Sequence, residues 1–150
     1  MTATPATRRK ARHYAMQALY QWHMTGAEPA TIEAEFRSDY DMTHVDTDYF
    51  HQLVFEVPRT ASELDQLYQP YLQQRSLEEL DPITQALLRM ATYELQQRID
   101  VPYKVVINEA VALGKKFGAT DSFKFINGVL DQLATQLRAV EVQADNKNGA

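Results

Sequence analysis

The sequence predicts an all-α protein, a bundle of six to seven helices, on three observations. Apolar residues recur at helical spacing along nearly the whole chain. Pro, Asp and Gly stand where helices start and stop. No two segments show the alternation that a pair of strands requires.

The elements follow in order. From about Arg8 to Met24, Ala11, Ala15, Ala18 and Trp22 form one stripe, and Gly26 stands just beyond it as a stop. Residues 1–7 read as a disordered N-terminus. A short second helix after Pro29 carries Ile32 and Phe36. A third begins near Asp46 and carries Phe50, Leu53, Val54 and Val57, until Pro58, which lacks a backbone donor, ends or kinks it. Thr60 and Glu63 have capping-box spacing and restart a helix through Leu64, Leu67 and Tyr71.

Each helix of the second half has its own start signal. Asp81 as N-cap and Pro82 at the first position open a helix through Ile83, Leu87, Met90 and Leu95 to about Arg98. Pro102 opens the next, with Val106, Ala110, Leu113 and Phe117 as its stripe and Gly118 as a left-handed stop. Asp121 is expected to cap a last helix through Ile126, Leu130, Leu133 and Leu137. Beyond Arg138 the residues turn polar and small, and 139–150 reads as a disordered tail.

A chain of 150 residues, 45% hydrophobic, fills one domain with a sizeable core. Its net charge of -5 excludes indiscriminate coating of nucleic acid, because most of such a surface repels phosphate. With no Cys there are no disulfides, thiolate metal sites or cysteine nucleophiles. Gln17, Gln21 and His23 interrupt any apolar run after the basic N-terminus, so neither a signal peptide nor a membrane span is expected.

Charge is unevenly spread. Residues 28–65 hold ten acids against Arg37 and Arg59, whereas Lys104, Lys115, Lys116, Lys124 and Arg138 outnumber Glu109, Asp121 and Asp131 in 101–138. Arg8, Arg9, Lys10 and Arg12 precede the first acid, Glu28. Two readings of that island stand: a docking site for nucleic-acid phosphate, or a frayed and solvated terminus.

Lys104 and Lys115 are separated by about 1100° of helical turn, nearly one line, with Val106 about 200° from Lys104. That lysine row is either an ordinary solvated face or an extension of a phosphate site. Lys116, Lys124 and Phe125 favour the second, since single-stranded RNA lays bases on rings while cations follow its backbone. Packing beside Ile126 is the equal alternative for Phe125. Tyr20, about 200° from Ala18, is exposed or covered by a partner. Glu78 and Glu79 are either solvated linker charges or acceptors for a basic partner.

Signals for catalysis are weak. His13, His23, His44 and His51 lack paired metal-ligand spacing, no glycine-rich phosphate loop occurs, and no cofactor is expected. The reading is a protein without enzymatic activity.

The stretch 101–134, VPYKVVINEAVALGKKFGATDSFKFINGVLDQLA, resembles the NusB family of transcription antitermination factors. The phrases INEAV, KKFG, DS-x-KF and NGVLD are specific in combination. The resemblance extends upstream through ALLRMATYEL to RRKARHYAMQALYQW, which looks like an arginine-rich opening.

That resemblance implies one domain over 8–138, with two three-helix halves at about 8–76 and 80–138. It implies a cytoplasmic, non-membrane adaptor that joins the basic small-subunit ribosomal protein NusE, binds single-stranded box A RNA of ribosomal RNA leaders, and works in the RNA polymerase antitermination complex. Arg8, Arg9, Lys10 and Arg12 then correspond to the RNA-binding segment, Lys115, Asp121 and Phe125 to a second RNA-facing region, and Tyr20 and Glu78 to the partner contact. Asp121 opposes phosphate, and either accepts from a base edge or only caps its helix. Relatives also raise a homodimer through the RNA surface.

Departures limit the transfer. Lys10 replaces a frequent arginine and loses the planar fork, Pro58 interrupts a usually continuous helix, and Thr84 stands where an acid can occur. Two other classes remain: a targeting module such as the NusB-like domains fused to ribosomal RNA cytosine methyltransferases, and a helical protein-interaction module whose cations serve solubility.

Overall fold

The computed structural model describes residues 3–149. Among them are eight α-helices: α1 (Pro5–Thr25), α2 (Pro29–Asp39), α3 (Thr47–Arg59), α4 (Ala61–Tyr68), α5 (Pro82–Gln97), α6 (Tyr103–Phe117), α7 (Ser122–Leu137) and α8 (Ala139–Gly149). Two single 3₁₀ turns, Gln69–Tyr71 and Leu77–Glu79, lie between α4 and α5. The all-α reading holds, but the expected six to seven helices in two triads become eight. The described residues form two compact units that divide between Ala61 and Ser62.

In the first unit α1 packs on α2 and α3. Thr4 and Thr7 make a reciprocal capping box, so the helix begins at Pro5 and residues 5–7 are ordered. Of the expected disordered N-terminus, residues 1–2 lie outside the described residues. Ala11, Ala15 and Ala18 are buried and small, which lets α1 approach Phe50, Leu53, Val54 and Val57 of α3. Gly26 closes α1 with φ 69°, a left-handed conformation that costs an L side chain on the order of 1 kcal/mol. Pro58 lies in the last turn of α3, and the chain breaks at Thr60 as expected. The Thr60 hydroxyl donates back to the Glu56 carbonyl.

In the second unit α5 is buried nearly all round, with Ala86, Leu87, Leu88, Met90, Ala91, Tyr93 and Leu95 all in the core, and it packs on α6 and α7. Asp81 caps it through the Thr84 N–H (2.9 Å) and hydroxyl (2.7 Å). Thr84, which stands where an acid can occur in relatives, is thereby buried in its own helix start. α4 is tied to α5 by a partly buried bidentate pair: Arg89 Nε and Nη2 each donate at 2.9 Å to Asp65, which also accepts from Tyr68 Oη at 2.6 Å. Buried Tyr68 and Leu72 add apolar anchoring, and this is why the division falls before Ser62.

Two turn assignments are corrected. Gly118 is extended (φ -84°, ψ 172°); glycine is needed there because a Cβ would collide with Ser122 Oγ and lie 2.7 Å from the Gly114 carbonyl oxygen. The left-handed residue is Asp121 (φ 68°), and its side chain makes no cap hydrogen bond.

The expected disordered tail is helix α8 through residue 149; residue 150 lies outside the described residues. Composition alone misses its partners. Glu141 accepts the Tyr103 N–H at 2.9 Å, an unsatisfied donor at the start of α6 where negative charge is favourable. Asp145 accepts from Lys104 Nζ (2.8 Å) and Tyr103 Oη (3.1 Å). Arg138, at the α7 end, is buried and donates to the carbonyls of Glu94, Leu95 and Arg98, closing the C-terminus of α5.

Candidate functional site

At the start of α1 the helical phase separates the four cations. Ala11, Ala15, Ala18 and Leu19 define the packed face; Arg8 lies about 35° and Arg12 about 75° from its middle, whereas Arg9 is about 135° and Lys10 about 125° away. Arg9 and Lys10 are accordingly exposed. Arg12 is only 2% exposed, with its guanidinium 5.4 Å from the Tyr49 ring centroid. Arg8 is partly covered, 4.4 Å over the same ring, with Nε 3.5 Å from Asp46 Oδ2. The expected cluster of four surface cations is thus corrected: Arg12 belongs to the packed face, because the aromatic ring and apolar neighbours there cover its stem and charge.

The second unit brings together a different set. Gly114 allows α6 and α7 to meet closely, since a Cβ there would lie 3.1 Å from Ile126 Cδ1 and 3.4 Å from Phe123. Lys115 near the end of α6 consequently reaches the start of α7, with Nζ 4.9 Å from the Phe123 centroid. Lys124 flanks that ring at 5.9 Å, and its Nζ is 3.5 Å from the exposed Asp121 carboxylate. Phe125 is half-buried and carries the Arg75 guanidinium at 4.3 Å. Lys116 lies over Phe117 at 5.3 Å.

Lys104 does not join this cluster. Eleven residues before Lys115, it lies about 16 Å away along α6, paired with Asp145. That carboxylate raises the Lys104 pKa above its ordinary value. The lysine row is therefore divided between the two ends of the helix. Sequence reasoning missed Arg75 and Phe123. Phe123 shares the DSFKF phrase with Phe125, whereas Arg75 has no local signal and meets Phe125 only through the fold.

The two residues assigned to a protein partner occur one on each unit. Tyr20 is 38% exposed on α1. Glu78 is exposed in the second 3₁₀ turn, where its neighbour Glu79 is engaged by the Ser76 N–H and hydroxyl at 3.1 and 3.0 Å. Those bonds hold the Glu79 carboxyl below its usual range. Only Glu78 of the pair thus has an uncommitted carboxylate in this cap. Among the described residues there is no group of three or more His, Cys, Asp or Glu placed to hold a metal ion, and no helix long and apolar enough to cross a membrane.

Comparison with known proteins matches residues 9–135 to the NusB family. A transcription antitermination protein NusB of Teredinibacter turnerae is 60% identical over 96% of this chain and 98% of its own length. The Saccharophagus degradans protein of the same name is 55% identical over 96% of each chain. A solved structure of T. maritima NusB superposes with a TM-score of 0.74 at 29% identity, covering 90% of this chain and 93% of that one. The family match reaches into both units and covers both cationic regions apart from Arg8; this chain belongs to the NusB family.

Proposed function

We propose that the chain is a non-enzymatic transcription antitermination factor: an RNA-binding adaptor that, with the ribosomal protein NusE, binds box A RNA of ribosomal RNA leaders and promotes processive transcription through terminators. The single observation that best supports RNA as ligand is the alternation of cations and rings at the α6–α7 junction, Lys115, Phe123 and Lys124 beside Arg75 and Phe125. Rings accept unstacked bases while cations neutralise the backbone, the combination that single strands require. The names of the 60% and 55% identical relatives support the antitermination role.

In this reading Arg9 and Lys10 bind phosphate directly, Arg8 in part, and buried Arg12 supports the helix that presents them. Lys115, Lys116, Lys124 and Phe125 act on the second unit, with Asp121 accepting from a base edge. Lys104 contributes when Asp145 is displaced. Tyr20 and Glu78 meet NusE, the setting is the bacterial cytoplasm in the RNA polymerase antitermination complex, and any homodimer competes for the RNA surface.

The test is fluorescence anisotropy of labelled box A RNA and a scrambled control, with and without NusE, at several salt concentrations. Selective binding that tightens with NusE is expected, and Arg9→Ala with Lys10→Ala should weaken it and lower the salt slope by about 1.4, two contacts at ~0.7 each. Equal binding to both RNAs, or none with NusE present, would replace this reading with a protein-interaction module.

A further inference from the structure

Between Leu72 and Ser76 the backbone does something unusual for its sequence. Gln73 and Gln74 are both left-handed, at φ 56° and 72°, although neither is glycine. Such consecutive left-handed side-chain residues are strained and persist only when their surroundings hold them. Leu72 and Leu80 are buried on either side, and the Ser76–Glu79 capping box braces the segment beyond. The Gln73 amide lies over Gly128 of α7, 3.4 Å from where a Cβ would stand.

The strained turn delivers Arg75 onto the Phe125 ring, with its guanidinium carbon 4.3 Å from the centroid. Arg75 is nevertheless an exposed residue. Among the described residues its guanidinium makes no hydrogen bond or ion pair. A guanidinium seated over a ring with no other partner keeps its N–H fork available, and that planar fork matches the oxygens of a phosphate. Lys124 is adjacent to Phe125 in sequence and faces Phe123, so the positive charge continues along the same helix start.

We propose that Arg75 is an RNA-contact residue that, seated on Phe125, grips a backbone phosphate beside the nucleotide that lies on the Phe123 ring. The proposal rests on the RNA-binding reading above and adds to it a residue from a separate segment of the chain. The turn and this seat go together, since relaxing the turn would move the guanidinium off the ring.

The experiment measures box A RNA anisotropy in the presence of NusE across a salt series for the intact protein, Arg75→Ala, Arg75→Lys and, as comparator, Arg9→Ala. Arg75→Ala is expected to weaken binding about tenfold and to lower the salt slope by about 0.7. Arg75→Lys should restore the slope but only part of the affinity, because an ammonium keeps the charge without the planar fork. Arg75→Gln, which retains a planar group on Phe125, carries the same test should the alanine variant melt at a lower temperature; it should lose the slope while keeping the fold. Wild-type affinity and slope in Arg75→Ala, alongside weakened Arg9→Ala, would overturn the Arg75 assignment and leave the RNA reading intact. No RNA binding by the unmodified protein with NusE at low salt would overturn both.

Discussion

Arg9 and Arg12 show how much one helical phase decides. They are three positions apart and chemically identical, yet Arg9 is exposed while Arg12 is buried against Tyr49. The pair separates surface charge from structural charge. Arg12→Ala should lower unfolding stability by about 2 kcal/mol, since it removes a desolvated cation–ring contact and leaves a gap beside Ala11 and Ala15. Arg9→Ala should stay within about 0.5 kcal/mol of the parent, as exposed substitutions usually do. Urea unfolding of both variants checks this; equal losses would mean that Arg12 is not held by the ring. The same residue scale explains the errors at Gly118 and Asp121. Both residue types permit a left-handed backbone, but crowding by Ser122 and Gly114 selects glycine at 118, while positive φ falls three residues later.

At the scale of elements, α8 is the addition that the sequence reading did not contain. Its hydrophobic pattern is weak, and Val140 is exposed, so apolar burial contributes little to its placement. Polar contacts to α6 place it instead, and these titrate. Asp145 has its pKa lowered, first by the Lys104 hydrogen bond, so its contribution is present above the ordinary value of 3.8 and lost as pH falls through the lower folded value. Lys104 is raised, first by the Asp145 hydrogen bond, so its contribution is present below 10.5 and lost as pH climbs through the higher folded value. The clasp should therefore hold across neutral pH and loosen at both extremes. Amide exchange of α8 against pH would measure it, and Asp145→Asn should abolish the alkaline limb and return the Lys104 pKa towards its ordinary value. An alkaline limb unchanged in that variant would show that Lys104 does not hold the helix.

At the scale of the whole molecule, the division before Ser62 places α4 in the same unit as α5, α6 and α7. Apolar periodicity alone does not assign a short helix to one unit or the other. Buried Asp65 and Tyr68 with half-buried Arg89 do so, all three groups being hydrogen-bonded and the Tyr68 pKa raised, first by burial. Asp65→Ala leaves Arg89 without its bidentate partner in a partly buried site, and should lower stability by about 3 kcal/mol. Tyr68→Phe removes one hydrogen bond and should lower it by about 1 kcal/mol. Thermal unfolding followed by circular dichroism tests the ordering; a larger loss for Tyr68→Phe would contradict the bidentate pair as the main anchor.

What the sequence determined by itself was local. Helix class followed from spacing; the starts at Asp81 and Pro82 and the stop at Gly26 followed from cap chemistry, because those signals act within a turn or two. The family was legible for the same reason, since INEAV, KKFG, DS-x-KF and NGVLD are contiguous phrases within the matched residues 9–135. Tertiary structure alone decided what depends on distant partners. It turned Arg12 inward, sent Arg138 to close α5, paired Lys104 with Asp145, and set Arg75 on Phe125 fifty positions away. A charged side chain carries the same symbol in each of these places; whether it meets solvent, a ring, a carbonyl or a carboxylate is set by packing of elements far apart in the chain.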